Sequence, residues 1–281
     1  MTARPLTGTS SRPDLPLAVV VGAGGMATAA ARRLGQRYRL LVTDIDEAKL
    51  AAVVASFKQD GFDIQSFVCD LTKAASVAAL AKAAEAQGPL RVLAHVTGLS
   101  PSMGDWRAIM TVNLLGAHHV ADAMLPLSGQ GTAAIFVSSL AAHLAPPAAD
   151  VVALLDNPVA PDFLDRLEQA EGGVITTQRS YQLSKYALNR LCRQRAADWG
   201  TRGARIVSLS PGLIATPMGA LEFERQPMKY DLLAKTPIQR EGTMLEIADA
   251  IEFLASEQAS FISGTDLRVD GGIAAALEFA S

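Results

Sequence analysis

The chain has 281 residues, 49% of them apolar and 19% charged, with a formal net charge of −3. That is long enough for one large α/β domain or two small ones around a sizeable core, and it carries no basic footprint of the kind nucleic acid requires. The two cysteines, Cys69 and Cys192, stand in apolar-periodic surroundings without CxxC spacing, which points to core thiols in a reducing compartment and not to a disulfide or a metal site.

The N-terminal stretch has arginines, an apolar run and an Ala-x-Ala pattern, a superficial likeness to a secretory leader. Asp14 and Pro16 interrupt its approach, three glycines sit inside the run, and the run continues into a βαβ pattern that cleavage would destroy. No apolar run reaches membrane-spanning length. The expectation is a cytoplasmic protein without membrane contact, with residues 1–14 a disordered tail and 15–281 a single domain.

Short apolar runs then alternate with helix-period segments. Strands are expected at 17–21, 38–43, 63–69, 90–96, 133–139, 204–210 and 266–269. Helices are expected at 26–36, 46–60, 72–88, 103–127, 178–200 and 243–256, with Thr72 as an N-cap and Gly88 as a stop for the third. Strands that read as near-continuous apolar runs are buried on both faces, the mark of a parallel sheet covered by helices. The fold class is therefore α/β: a single Rossmann-type, doubly wound parallel sheet of about seven strands with helices on both faces.

The first strand runs into Gly22-x-Gly24-x-x-Ala27 and a helix. A backbone without Cβ atoms can turn tightly and approach a pyrophosphate, and the helix N-terminus offers free N–H groups and a favourable dipole. Gly22, Gly24, Gly25 and Met26 are the candidate phosphate contacts. Asp44 ends the second strand, 22 residues beyond Gly22, near the spacing of an acid that accepts the adenosine ribose 2′-OH. A carboxylate there repels a 2′-phosphate, so NAD is expected as the cofactor in preference to NADP. Asp46 is the rival acid but reads better as the N-cap of the next helix.

In "SYQLSKYALNR", Tyr181 lies four residues before Lys185, on the same face of a helix. Further stretches accompany the pair: "FVCDLT", "HVTG", "WRAIMTVNLLGA", "AAIFVSSLAA", "LSPGLIATPM" and "SGTDLRVDGG". With these motifs, the chain from about Leu17 to Ala276 resembles the short-chain dehydrogenase/reductase family. The resemblance implies that Asp70 and Leu71 touch adenine and that Thr97 and Gly98 lie against the cofactor. It further implies that Pro211, Gly212, Ile214 and Thr216 wall the nicotinamide. Asn113, Ser139, Tyr181 and Lys185 become the catalytic residues: Tyr181 as acid/base, Lys185 lowering its pKa and holding the nicotinamide ribose, Ser139 orienting the substrate oxygen, and Asn113 anchoring a water that relays protons to Lys185. A tyrosine that exchanges protons with an alcohol needs its pKa brought down from about 10, and a neighbouring ammonium does this.

The sequence departs from the family pattern in three places. The glycine loop is one residue shorter and lacks the family's Thr, so its phosphate contacts are expected to differ. His95-Val96 replaces two asparagines after the fourth strand. Tyr181 follows Ser139 by 42 residues, which inserts a segment at about 144–177 with two short helical patterns. A similar insertion occurs in the branch resembling bacterial 3α-hydroxysteroid dehydrogenase/carbonyl reductase, which "AADWG" and "DGGIAA" also match. The insertion is expected to cover part of the substrate cleft or to replace one subunit interface of a homodimer or homotetramer.

His118-His119 lacks the companions of a metal site and reads as helix packing. Ser139, His143 and Asp150 lack a GxSxG elbow, which argues against a hydrolase triad. His143 is instead a candidate for the substrate mouth, with Met218, Leu221 and Phe223, beside Met228, as an apolar lid. The reaction implied is NAD-dependent interconversion of a hydrophobic secondary alcohol, steroid-like or aromatic, and its ketone. The alternative is a non-catalytic NAD(H)-sensing protein. An epimerase or dehydratase of the same superfamily would usually carry a longer C-terminal substrate domain.

Overall fold

The central apolar runs form strands because both of their faces are shielded, while the edge strands at 64–68 and 266–269 stay partly exposed. In β1 (Leu17–Val21) and β5 (Ala133–Val137) every residue is buried. The computed structural model describes residues 14–216 and 228–279. Met218, Leu221 and Phe223, and residues 1–13 of the expected tail, lie outside the described residues.

With β2 (Arg39–Asp44), β3 (Ile64–Val68), β4 (Leu90–His95), β6 (Arg205–Pro211) and a late strand at Asp266–Val269, these make a seven-stranded parallel sheet. Its order is β3-β2-β1-β4-β5-β6 followed by the late strand, with helices on both faces. Between the first and fourth strands the winding reverses. The crevice outside the carboxyl ends of β1 and β4 is therefore the place where such sheets bind ligands.

Two cores flank the sheet. On one face α1 (Gly25–Leu34) and α2 (Glu47–Gln59) contribute Ala27, Ala30, Leu34, Leu50 and Phe57 against Val20, Val42 and Ile135. Asp46 caps α2 as expected, accepting from Lys49 N at 2.9 Å. On the other face α3 (Ala74–Glu85) packs Val77 and Leu80 against Val19, Leu93 and Phe136. Thr72 does not cap α3: its hydroxyl donates to Asp70 Oδ1 at 2.6 Å, and the helix starts after Lys73. Both cysteines are buried and free.

The helix expected at 103–127 is broken. α4 (Trp106–Met110) passes through a single π turn at Thr111–Leu115 into α5 (Gly116–Met124). The insertion forms α6 (Ala149–Leu155) and α7 (Phe163–Ala170) ahead of α8 (Thr177–Gln194), and α9 (Ala196–Gly200) follows. A third core results: Val151, Leu155, Phe163 and Leu167 of the insertion bury Met110, Leu114, Leu183 and Ala187. Three ion-pair groups tie it down, Arg190–Asp156, Arg179–Glu171 and Arg107 to both Asp165 and Glu168.

Two short strands the sequence did not announce, β7 (Ile214–Ala215) and β8 (Gly242–Thr243), pair in parallel beside the sheet. α10 (Met228–Lys235) precedes β8 and α11 (Met244–Ala255) follows it, its N-terminus closed by a capping box of Thr243 and Glu246. The late strand is β9, and α12 (Ile273–Glu278) ends the described chain. Among the described residues no helix is long and apolar enough to cross a membrane, and no three metal-ligating side chains cluster.

Candidate active site

Gly22 begins the site. Its φ is +117° and a Cβ on it would fall 3.3 Å from Thr97 N, so a side chain would be strained there and would crowd the turn after β4. The β1 and β4 turns are thereby pressed together at the switch point, with Val96 and Thr97 both donating to Val21 O. Gly24 is the N-cap of α1 and supplies no capping side chain, which leaves first-turn N–H donors of that helix for an anion. Gly25 and Met26 open the helix, and Gly25 lies under the Met244 side chain of α11.

Asp44, the candidate ribose acid, stands beside the glycine turn. Its Oδ2 accepts from Ala23 N at 2.8 Å and its Oδ1 from Asp46 N at 3.1 Å. A carboxylate has about four acceptor positions, so capacity for a ribose hydroxyl remains. Asp70 is held by Thr72 and, at 3.0 Å, by Lys73 Nζ. Those hydrogen bonds, Thr72's first, hold its carboxyl below the ordinary range. Leu71 O lies 2.9 Å from His119 Nδ1, an anchor for the candidate adenine wall that the sequence did not disclose.

Two of the catalytic candidates, Lys185 and Asn113, meet at Gly98. A Cβ there would fall 3.2 Å from Lys185 Nζ and 3.3 Å from Asn113 Oδ1, so glycine permits the close approach of both groups. Lys185 Nζ is buried and donates to Val137 O at 3.0 Å. Burial brings its pKa down from the ordinary value to about 8. It lies 5.8 Å from the centroid of the half-buried Tyr181 ring, on the shared face of α8 that the spacing predicts. Asn113 sits in the π turn, a distortion common at functional sites. Its Oδ1 accepts from Leu99 N at 2.7 Å, and its Nδ2 donates to Leu99 O at 3.0 Å and to Ser184 Oγ at 3.3 Å. Ser184 in turn donates to Tyr181 O, so it ties the π turn to the catalytic helix.

Two adjacent serines follow β5 and the structure distinguishes them. Ser138 is buried and donates to Lys185 O at 3.0 Å, a packing role. Ser139 is half-buried and accepts from Ala141 N at 3.1 Å, starting the turn Leu140–His143. His143 points to Asp266 and Ser210, both from its Nε2, and Asp150 lies in the first turn of α6; a triad would need partners on both ring nitrogens. Pro211 ends β6, Gly212 N donates to Val269 O, and Ile214 lies in β7, with Thr216 just beyond. His95 is fully buried, stacked on Phe136 at 5.0 Å. Burial, with Lys185 nearby, brings its pKa down to about 3 and keeps the ring neutral.

Comparison with known proteins agrees with this geometry. Residues 16–151 match the family described as short chain dehydrogenase, and residues 169–274 the one described as Enoyl-(Acyl carrier protein) reductase. The break between them falls within the insertion. The chain is 32% identical over 262 residues to short-chain dehydrogenase/reductase bsc3 of Alternaria brassicicola, covering 92% of this chain and 96% of that one. It is 30% identical to D-threitol dehydrogenase of Mycolicibacterium smegmatis, over 93% and 94% of the two chains. Among solved structures, a 7α-hydroxysteroid dehydrogenase complexed with NADH and 7-oxo glycochenodeoxycholic acid superposes with a TM-score of 0.75 at 25% identity, covering 93% and 95%. A short-chain dehydrogenase/reductase from Mycobacterium ulcerans gives 0.76 at 23% identity, covering 92% and 90%, a likeness of fold. The wider set of relatives spans several substrate types, so the particular hydroxysteroid branch is not distinguished from its neighbours. With its sheet, its switch-point crevice and these relatives together, the chain belongs to the short-chain dehydrogenase/reductase family, NAD(P)-dependent oxidoreductases of alcohols and ketones.

Proposed function

We propose that the protein is an NAD-preferring oxidoreductase that interconverts a hydrophobic secondary alcohol and its ketone. The observation that carries the reading is the buried Lys185 ammonium beside Tyr181, wedged against Gly98 and Asn113. Burying an ammonium is costly, and its place beside a phenol is what proton exchange by that phenol requires.

The nicotinamide, when bound, supplies the hydride acceptor or donor. Gly22, the open N-terminus of α1 and Gly98 fit such a cofactor, because side chains at the two glycines would fill or strain the crevice. In the oxidising direction the Tyr181 phenolate takes the hydroxyl proton as hydride leaves the carbon, and in the reducing direction the phenol returns it. Lys185 favours the phenolate by its charge. Ser139 donates to the substrate oxygen and holds it before Tyr181. Asn113 and Ser184 fix the π turn against α8.

The preference for NAD rests on Asp44, whose carboxylate stands at the glycine turn with Asp46 two residues on. A hydrophobic, steroid-like or aromatic substrate is supported by the likeness to a hydroxysteroid dehydrogenase and by Met218, Leu221 and Phe223 in the sequence. The assembly proposed is a dimer. The experiment is a fluorescence titration with NADH and NADPH, followed by an NADH-coupled screen of aromatic and steroidal ketones. Tight NADH binding and turnover of an apolar ketone are expected; preference for NADPH, or turnover confined to polyols, would overturn the corresponding part.

A further inference from the structure

Beneath the Ser139 turn lies a buried polar cluster that the proton and hydride transfers do not use. Asp266, the first residue of β9, has a side chain only 4% exposed. Its Oδ1 accepts from Ser208 Oγ at 2.7 Å and from Ser210 Oγ at 3.0 Å, and its Oδ2 faces His143 Nε2 at 2.9 Å. A carboxylate only accepts, so its position assigns the His143 proton to Nε2. Burial alone would raise the Asp266 pKa; the donors from His143, Ser208 and Ser210 outweigh it and hold the group ionised.

The cluster joins two loops that both face the reaction. His143 closes the turn Leu140–His143, of which Ser139 is the N-cap. Ser210 immediately precedes Pro211 and Gly212 on the candidate nicotinamide wall. Just past the end of β5, Ser138 N donates to Leu209 O of β6 at 2.7 Å. The turn itself is a single 3₁₀ segment whose own bonds, Ala142 N to Ser139 O and Leu144 N to Ala141 O, are those of a short and weakly held element. Leu140 is pinned by Ile273 and Ala274 at one end. At the other end His143 holds it to Asp266, and Ala145 O just beyond accepts from Arg179 Nη1 at 3.0 Å.

We propose that His143 and Asp266 are positioning residues, a charge-assisted clamp that sets the Ser139 turn at a fixed distance from the Pro211–Gly212 turn. An apolar contact would hold the turn without fixing its direction, whereas a hydrogen bond to a buried carboxylate fixes both distance and angle. Small misplacements of a group that orients the substrate are costly in rate. The role assigned to Ser139 rests on the functional reading above; the clamp itself is a statement about geometry.

The test compares the natural chain with His143→Ala and His143→Gln, the latter keeping a side-chain N–H donor. Hydrogen–deuterium exchange is measured with NADH present. Opening of segments 139–144 and 208–214 by about fivefold in His143→Ala, protection restored in His143→Gln, and an unchanged β1–α1 region are expected. Unchanged exchange in His143→Ala, or loosening of the whole sheet in both variants, would overturn the clamp. In parallel, NADH oxidation is followed with benzil as the ketone probe. The Ala variant should lose about tenfold in kcat at unchanged KM for NADH, and the Gln variant should recover most of it. Tyr181→Phe is the control. If it loses turnover while His143→Ala does not, the clamp fails alone. If Tyr181→Phe retains turnover, the catalytic reading fails, and exchange still decides the clamp.

Discussion

Asp44 and Ala23 are joined by a 2.8 Å hydrogen bond from the backbone N–H of the glycine turn to the carboxylate that ends β2. The shortened loop thus leans on the same acid that is proposed to select the cofactor, so cofactor choice and loop shape would be one property. Asp44→Ala removes both at once. A charge-assisted hydrogen bond is worth about 1.5–3 kcal/mol, so NADH affinity should fall roughly tenfold or more while NADPH affinity rises as repulsion of its 2′-phosphate is lost. Fluorescence titration with each nucleotide reads the two changes. An Asp44→Ala protein that keeps its NADH affinity and still rejects NADPH would remove Asp44 from cofactor selection.

Tyr181→Phe keeps the ring beside Lys185 and removes only the hydroxyl. General acid–base catalysis contributes about two to four orders of magnitude, so turnover should fall by at least about a hundredfold with NADH binding intact. Retention of most turnover would transfer the proton-exchange role to another group.

Lys185 makes a prediction about stability. Its folded pKa is lowered to about 8 by burial, below the ordinary value of 10.5. Between these values the unfolded chain binds the extra proton, so the natural protein gains stability as pH rises through that window and carries the full burial cost below it. Lys185→Met has no such titration. Its loss of the Val137 O hydrogen bond is a constant offset. The melting temperature of the natural chain relative to Lys185→Met should therefore climb from pH 8 to 10.5, measured by thermal melts without cofactor. A flat difference would mean that Lys185 is not held at a cost.

The sheet and the catalytic helix were legible in the sequence for a physical reason. Strands buried on both faces must read as unbroken apolar runs, as Ala133–Val137 does, and Tyr181 and Lys185 fall on one face at any helical register. The π turn at Asn113 was not legible, because one extra residue in a helix leaves the composition unchanged. Neither was the start of α3, where Thr72 prefers the Asp70 carboxylate to the helix end. His143 and Asp266 are 123 residues apart, and no local pattern marks a polar pair that only the folded sheet brings together. Strands of two residues such as β7 and β8 are too short to show any period.

The acid limb of stability should report His95. It is fully buried, neither ring nitrogen has a partner among the described residues, and its pKa is brought to about 3 by burial and by Lys185. Its stabilising neutrality is complete above the unfolded value of 6.5 and is lost as pH falls towards 3. The slope is about 1.4 kcal/mol per pH unit for one proton. His118, lowered to about 4 by burial and by Arg195, adds to it over a shorter range. His95→Phe should flatten urea-unfolding free energies between pH 6.5 and 4 relative to the natural chain. An unchanged slope would show that the ring finds a proton acceptor as it titrates.

The insertion decides which faces remain for a second copy. Val151, Leu155, Phe163 and Leu167 already cover Met110, Leu114, Leu183 and Ala187, so much of the apolar surface of α4 and α8 is spent within the chain. Arg190 adds a double hydrogen bond to Asp156, at 2.5 and 2.6 Å, that holds α6 in place. Two of the exposed aromatic residues lie elsewhere: Phe253 on α11 is 42% exposed, and Phe261, shortly before the edge strand β9, is fully exposed. A dimer through that edge is the expected assembly, and static light scattering should then give twice the chain mass. Phe261→Asp should shift the mass towards the monomer. Leu155→Ala should destabilise the fold by about 2–5 kcal/mol, as a buried leucine does, and leave the dimer intact. A stable tetramer that Leu155→Ala dissociates would place an interface on the insertion after all.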